Sequence, residues 1–191
     1  LWGWGRGAEG ELGTVNWTEP NPIQVGSVNN IQNYYLGVLN SFVIKTDGTL
    51  WGMGSNTYGS LGVNSTSEII TPWQQITTTS DWLKVSPSLY FTLALKSDGT
   101  IWAWGQDNNG QTGNPPASAT QNTPIQVGAA TDWLDVAAGV SSTAFALKAD
   151  GTIWGWGANS GSLLVSSSSI VSVGTPIQVN GVTGFVKMSA G

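Results

Sequence analysis

Short apolar segments, an Asp-Gly pair and a following segment that alternates large and small residues form the dominant pattern of this chain. In the clearest copy, Phe145-Ala146-Leu147-Lys148 stands before Asp150-Gly151, and Thr152-Ile153-Trp154-Gly155-Trp156 stands after it. An Asp-Gly pair between two apolar segments predicts a β-hairpin, and it favours a type I′ turn because both residues accept positive φ angles. Each copy of the pattern therefore predicts two antiparallel strands in a fixed register.

The second strand of this hairpin has one bulky face and one small face. Trp154 and Trp156 point to one side, whereas Ile153, Gly155 and Gly157 point to the other, because alternate residues of a strand lie on opposite faces. The hairpin strands also hold few charged residues, unlike a sheet with one face in water. We therefore expect stacked sheets, in which the Trp face of one sheet packs against the Gly and Ala face of the next.

The hairpin belongs to a longer unit that is repeated along the chain. The tryptophan-rich strand starts at Leu1, Leu50, Ile101 and Ile153. Asp-Gly-Thr triplets stand at 47–49, 98–100 and 150–152, Pro-initiated segments at 22–25, 72–76, 124–127 and 176–179, and Asp-Trp-Leu segments at 81–85 and 132–136. The Pro-initiated segments suit outer strands, because Pro has no N–H for a sheet partner, and the Asp-Trp-Leu segments supply a fourth strand.

A unit of this length with four short strands has the size of one propeller blade. We predict an all-β chain of four repeats, with four-stranded antiparallel blades. The repeats span 1–49, 50–100 and 101–152, followed by an incomplete repeat at 153–191.

The order Leu-Trp-x-Trp-Gly, Gly-x-Leu-Gly, Pro-x-x-Val and Leu-Lys-x-Asp-Gly-Thr resembles the regulator of chromosome condensation repeat. The Gly-x-Leu-Gly element is present at 10–13 and 59–62, becomes Gly-Gln-Thr-Gly at 110–113 and is degraded at 161–164. The resemblance implies a seven-bladed β-propeller whose loops bind protein partners, among them small GTPases, chromatin and, for a secreted bacterial relative, β-lactamases.

Two departures limit what the resemblance implies. The chain has no His, although family repeats often place one before the strands that begin near Tyr90 and Ser142, so nucleotide-exchange activity transfers to no position here. Seven units would need roughly 350 residues, and the chain has 191, starting on the second strand of a hairpin. We therefore expect an open arc of about four blades, a fragment of a larger propeller or a piece completed by further blades, including those of a homo-oligomer.

Composition narrows the classes of partner. Charged residues make up 9% of the chain, with 6 Lys and Arg against 11 Asp and Glu, so no basic groove for nucleic acid is expected. The sequence has no apolar stretch of the roughly 20 residues needed for a membrane span. Low charge with much Ser, Thr and Asn is typical of extracellular, cell-surface or virion proteins, and so of a bacterial or viral-style member of the family.

The sequence offers no candidate residues for catalysis or for metal binding. The chain has neither His nor Cys, and most carboxylates recur at repeated positions. We interpret Asp47, Asp98 and Asp150 as turn residues, Asp81 and Asp132 as local turn acceptors, and Lys45, Lys96 and Lys148 as solvated charges at the rim. The segment 107–110 lacks the alternating oxygen ligands of a calcium loop. No catalytic residue, cofactor or metal is predicted.

The segments between the repeated landmarks differ in sequence, as binding loops on a rigid scaffold do. They span 14–19, 64–69, 114–121 and 166–173. The candidate partner contacts are Trp17, Asn64, Glu68, Trp73, Asn114, Pro115, Pro116 and Ser118. Of eleven Trp, only Trp17 and Trp73 are not explained by the repeat. We predict a non-catalytic protein-binding or assembly module; the alternatives are a nucleotide-exchange regulator of a small GTPase and a carbohydrate-binding propeller that uses exposed Trp.

Overall fold

The computed structural model describes residues 1–114, 120–139, 142–166, 169–179 and 183–189. Fourteen strands of these residues form one two-stranded and three four-stranded antiparallel sheets, which confirms the predicted all-β blades. The partial sheet contains β1 (Trp2–Arg6) and β2 (Thr18–Gln24). The first full sheet contains β3 (Ile31–Leu36), β4 (Asn40–Lys45), β5 (Leu50–Ser55) and β6 (Ile69–Gln75).

The other two full sheets repeat the same strand order. One contains β7 (Trp82–Pro87), β8 (Phe91–Lys96), β9 (Ile101–Gly105) and β10 (Gln121–Gln126). The last contains β11 (Trp133–Ala138), β12 (Thr143–Lys148), β13 (Ile153–Ala158) and β14 (Ser172–Gln178). Single 3₁₀ turns lie at Thr57–Gly59 and Ser160–Ser162. Within the described ranges no helix is long and apolar enough to cross a membrane.

The Pro-initiated and Asp-Trp-Leu segments lie at opposite edges of the sheets. The strands β6, β10 and β14 carry the Pro residues on one edge, and β7 and β11 begin with the Trp of the second segment on the other. Each sheet therefore takes its first two strands from one sequence repeat and its last two from the next, so the predicted repeat boundaries fall inside the blades.

The hairpin joining the two middle strands is confirmed, but the predicted type I′ turn is wrong. Gly48, Gly99 and Gly151 have φ angles of +78°, +77° and +79°, whereas the Asp before each Gly is not among the residues with positive φ. The N–H of Gly48 donates to the Lys45 carbonyl over 2.8 Å, and the N–H of Lys45 donates to the Thr49 carbonyl. This is a three-residue loop, a type I turn followed by a left-handed Gly, in which Asp needs no positive φ.

The cores lie between consecutive sheets. Phe42 and Ile44 of β4 pack with Trp82, Val85 and Trp104 of the next blade, and all five are buried. The Nε1 of Trp104 also donates to the Ser60 carbonyl over 2.8 Å, in the Gly-x-Leu-Gly element of the preceding blade. A Cβ at Gly62, the last Gly of that element, would lie 2.9 Å from this indole nitrogen. The Gly-x-Leu-Gly element at 59–62 therefore forms the packing site for Trp104 of the next blade.

The small face of the tryptophan-rich strand is filled differently from the prediction. A Cβ at Gly52 would lie 3.0 Å from the Leu61 side chain, and Leu61 belongs to the Gly-x-Leu-Gly element of the same blade. Gly155 stands in the same way against Leu164. Leu61 thus lies between its own strand and the following blade, which explains the small residue Gly52 between Trp51 and Met53.

Candidate functional site

The loops that connect the strands lie at the two opposite ends of the strands, and they form two surfaces that are called here the turn face and the long-loop face. The turn face contains the Asp-Gly turns and the linkers 76–81 and 128–132 that join consecutive sheets. The long-loop face contains residues 7–17, which connect β1 to β2, and residues 56–68 and the described parts of 106–120 and 159–171, which connect the third strand of each full sheet to the fourth. The described residues of the variable segments predicted from the sequence lie on the long-loop face.

Polar groups of the turn face bond to one another in three matching copies. Asp98 Oδ1 accepts hydrogen bonds from the N–H and the hydroxyl of Thr100 at 2.9 and 2.7 Å, and the same hydroxyl accepts one from Trp102 Nε1 at 3.0 Å. Asp47-Thr49-Trp51 and Asp150-Thr152-Trp154 repeat these bonds. The Asp-Gly-Thr triplet therefore fixes the turn and also orients the first Trp of the next strand.

These bonds lower the pKa of all three Asp carboxyls. The hydroxyl of Thr49 contributes most, followed by its N–H, and both hold the pKa of Asp47 below its ordinary value of 3.8; Lys45 adds a smaller effect. The pKa values of Asp98 and Asp150 are lowered from 3.8 by the same groups of Thr100 and Thr152. A carboxylate that accepts hydrogen bonds is favoured in its charged form.

The prediction that the repeated Lys are solvated rim charges is wrong for Lys96. Its side chain is 7% exposed, and its Nζ lies 4.7 and 4.4 Å from the ring centroids of Trp82 and Trp102. The ammonium pairs with Asp81 over 3.1 Å instead of with the turn Asp. Burial of a Lys needs such a partner, and the linker that enters β7 brings Asp81 and Trp82 over it.

Lys148 repeats this arrangement one blade later. Its Nζ lies 4.9 and 4.8 Å from the ring centroids of Trp133 and Trp154, and it pairs with Asp132 over 3.1 Å. Asp81 and Asp132 are therefore ion-pair partners of the buried Lys96 and the partly buried Lys148, which corrects their interpretation as local turn acceptors. Lys45 lies 4.0 Å from the ring centroid of Trp51 and is partly exposed.

Three of the four long loops are each organised by one buried Asx residue that was not predicted from the sequence. Asn56 is 4% exposed; its Oδ1 accepts from the Leu61 N–H, and its Nδ2 donates to the Ser65 and Ser67 carbonyls at 3.0 Å. Asn159 accepts from the Leu164 N–H and donates to loop carbonyls in the same way. Asp107 takes this position in the third loop and accepts from the Thr112 N–H over 2.9 Å. The recurrence of Asn or Asp two residues after the strand's last Gly was the signal available in the sequence.

Three of the predicted contact residues lie exposed on the long-loop face. Trp17 is 79% exposed, and Asn64 and Glu68 are exposed in the loop that Asn56 organises. Asn64 has a left-handed φ of 52°, and its N–H donates over 2.9 Å to the carbonyl of Asn122 in the following blade. The structure brings Asn64 and Glu68 into one loop and leaves Trp17 in another.

The remaining predicted residues divide into buried, partly buried and undescribed. Trp73 is 7% exposed, because it packs against Gly26 and its Nε1 donates to the Val25 carbonyl over 3.2 Å. It holds the partial sheet to the next blade and does not present a free surface. Asn114 is partly buried at the start of its loop. Pro115, Pro116 and Ser118 lie outside the described residues.

A polar groove opens on the long-loop face at the junction of two blades. It has a volume of about 410 Å³ and is lined by the loop 56–68 of one blade and by Thr120 and Asn122 of the next. Tyr58 stands in this groove, 45% exposed and 5.1 Å from Tyr90 in an edge-to-face contact between ring centroids. Glu68 is the one ionisable carboxylate among the lining residues. The groove combines an aromatic ring, an acid and several neutral hydrogen-bonding groups.

Charges are distributed unevenly between the two faces. The carboxylates of the long-loop face are Glu9, Glu11, Glu19, Glu68 and Asp107. Arg6, at the end of β1 and paired with Glu9 over 3.3 Å, is the one cation beside them. Lys45, Lys96 and Lys148 belong to the turn face, and Lys84 pairs with Asp135 between the first strands of neighbouring sheets. The long-loop face is therefore acidic in a chain whose net charge is -5.

The described residues hold no cluster of three or more His, Cys, Asp or Glu side chains with the spacing of a metal site. The carboxylates of the turn face are occupied by Thr hydroxyls or by Lys, as described above. The candidate site is the set of exposed loops on the long-loop face, with the Tyr58 groove as its concave part.

Comparison with known proteins agrees with the blades and the repeat. Residues 47–95 and 98–146 match the regulator of chromosome condensation (RCC1) repeat, and residues 84–111 match a second model of that description. The chain is 31% identical over 179 residues to the human probable E3 ubiquitin-protein ligase HERC6, covering 92% of this chain and 17% of that protein. It is 25% identical over 132 residues to the regulator of chromosome condensation of Xenopus laevis, covering 67% and 31% of the two chains.

Solved structures share the fold at lower identity. Human WBSCR16 superposes with a TM-score of 0.81 at 21% identity, covering 94% of this chain and 48% of that one. Prp20p of Saccharomyces cerevisiae, described with its binding to Gsp1p and histones, gives a TM-score of 0.81 at 16% identity over 94% and 46% of the two chains. The chain spans about half the length of these structures.

Proposed function

The chain belongs to the regulator of chromosome condensation (RCC1) repeat family, and on that premise we propose that it is a non-catalytic module that binds protein partners through its long-loop face. The family match concerns the repeat and its fold. The ligase activity named for HERC6 and the partners named for Prp20p are properties of those longer proteins. The features that are specific to this chain are the residues of its loops.

The observation that carries the proposal is the contrast in how the two faces use their polar groups. On the turn face, three Asp are bonded to three Thr, and Lys96 and Lys148 are paired with Asp81 and Asp132. On the long-loop face, the exposed Trp17 and the exposed Asn64 and Glu68 side chains are not used in this way. Loops that differ in sequence on a rigid β scaffold are the usual site of partner recognition.

The rigidity of the loops supports the same proposal. Asn56 and Asn159 tie their loops with three or more hydrogen bonds each, so the exposed side chains project from ordered backbone. A preorganised surface loses less conformational entropy on binding than a mobile one. The compositional expectation of an extracellular, cell-surface or virion setting stays a prediction.

A site-specific cross-linking experiment tests the proposed face. A photoreactive residue is placed at Trp17 or at Glu68 in the full-length protein, and a matched control carries it at Thr46, which is exposed in a turn on the opposite face. Irradiation in cells that express the protein should link the two loop positions to the same protein, and the Thr46 position should not form that product. Equal products from all three positions, or products from Thr46 alone, would contradict the proposal.

A further inference from the structure

The groove at Tyr58 has an acidic group with no partner of its own. The Glu68 carboxylate makes no hydrogen bond or ion pair with any residue that the structure describes, although its backbone carbonyl accepts from the Asn56 N–H. The cation of this face, Arg6, lies at the end of β1 in a different sheet and pairs with Glu9. Within the described part of the chain, Glu68 is therefore free to pair with a cation from outside.

The aromatic ring beside Glu68 is held in an unusual backbone conformation. Tyr58 has φ +57° and ψ +23°, and it is the one bulky residue among the described non-Gly residues with positive φ. A bulky side chain in this region is strained, and such strain is found at binding sites more often than elsewhere. The edge-to-face contact with Tyr90 fixes the ring and leaves it 45% exposed.

At two other places in this chain, a Lys ammonium group contacts both an aromatic ring and a neighbouring carboxylate. At Lys96 the ammonium lies 4.4 Å from the Trp102 ring centroid and 3.1 Å from an Asp81 oxygen. At Lys148 it lies 4.8 Å from the Trp154 ring centroid and 3.1 Å from Asp132. In each case one cation satisfies the charge of the acid and the negative face of the ring together. The Tyr58 groove has the ring and the acid but no cation from the described residues.

We propose that this groove binds a Lys or Arg side chain of a partner protein, with its charge paired to Glu68 and its alkyl stem along the Tyr58 ring. The inference rests on the proposed function, since the cation comes from a protein partner. The acidic balance of the long-loop face favours the approach of a basic segment. Thr66 and Asn122, which also line the groove, offer hydrogen bonds to the backbone of that segment.

A short peptide tests the groove without the natural partner. The probe is the capped pentapeptide Gly-Ser-Lys-Ser-Gly, and its control carries norleucine in place of Lys. In ¹⁵N-labelled protein, the Lys peptide should shift the backbone amides of Gly59, Ser65 and Asn122 with a Kd in the millimolar range, to which the exposed ion pair contributes only about a 5-fold gain in affinity. The norleucine peptide should leave these amides unchanged.

Two variants and one control separate local contact from general attraction. Glu68→Gln should weaken the Lys peptide about 5-fold, and Tyr58→Gly, which also relieves the left-handed strain, should weaken it about 3-fold. Glu9→Gln removes the same charge from the same face outside the groove and should change the Kd less than about 1.5-fold at 150 mM salt.

Several results would overturn the inference. They are an equal loss of affinity in Glu68→Gln and Glu9→Gln, shifts confined to amides outside the groove, or shifts at the groove produced by N-acetylglucosamine but not by the Lys peptide. The last result would assign the groove to carbohydrate. If the cross-links from the long-loop face form while the peptide does not bind, this inference fails and the proposed function stands.

Discussion

The turn face and the long-loop face are built on the same strands, yet they treat their side chains in opposite ways. The turn face repeats one set of bonds three times, and its Asp, Thr, Trp and Lys residues satisfy one another. On the long-loop face, three loops each contain one buried Asx, and most of the residues around it differ between the loops. The repeated side chains hold the fold, and the variable side chains include those that we propose to contact a partner.

The largest expected difference between the faces comes from a matched pair of Trp variants. Trp82 is 4% exposed and packs against Trp102, Trp104 and the Lys96 ammonium, so Trp82→Ala should lower the free energy of unfolding by about 3–5 kcal/mol. Trp17 is 79% exposed, and Trp17→Ala should change the free energy of unfolding by less than about 0.5 kcal/mol. Urea titrations followed by far-UV circular dichroism measure both values. Similar losses of unfolding free energy in the two variants would contradict the difference between the two faces.

A smaller effect is expected from exchanging the residues that organise the long loops. Asn56→Asp removes the Nδ2 that donates to two loop carbonyls and should cost about 1–3 kcal/mol. Asp107→Asn adds the donor that the other two loops use and should stabilise the protein by about 1 kcal/mol. Thermal unfolding of the two variants beside the parent checks both signs. A destabilising Asp107→Asn would show that the third loop is organised by other bonds.

The smallest expected effect is the response of the turn face to acid. The pKa values of Asp47, Asp98 and Asp150 are lowered below 3.8 in the folded protein, so the unfolded chain binds more protons as the pH falls through that value. Their contribution to stability is complete above pH 3.8 and is lost as the pH falls further. The triple variant Asp47→Asn, Asp98→Asn, Asp150→Asn should therefore lose less stability than the parent below about pH 3.8.

Urea titrations at several pH values between about pH 6 and about pH 2.5 measure this difference. The expected result is two curves that run parallel above pH 3.8 and converge below it. Curves that stay parallel over the whole range would mean that the Thr hydrogen bonds do not change the proton affinity of the three Asp.

Most of the fold follows from local pattern, and what could not be predicted depends on contacts between distant segments. Strand order, hairpins and outer edges follow from the Asp-Gly pairs and the Pro positions, because these act on neighbouring residues. The environment of Lys96 does not, since Asp81 and Trp82 reach it through a linker and a strand pairing. The turn type was wrong because the Asp-Gly pair alone does not tell whether the loop contains two residues or three.

The candidate site was predictable in position and less so in detail. Variable segments between repeated landmarks located the long-loop face, including Asn64 and Glu68. The burial of Trp73 could not be predicted from local pattern, because its packing partner, Gly26, lies in the turn that follows a strand of another sheet. Tyr58 was not considered, since its exposure depends on the left-handed turn at the start of the loop and on the neighbouring Tyr90.

The segregation of charge also decides how this protein can be attached to a surface. Its five Lys belong to the turn face or to the region of Lys84 and Lys187, and Lys96 is enclosed by indole rings. Reagents that acylate side-chain amines will therefore react away from the loops around Tyr58. A sensor chip or fluorophore coupled through Lys will leave the long-loop face turned outward and unmodified, ready for whatever is passed over it.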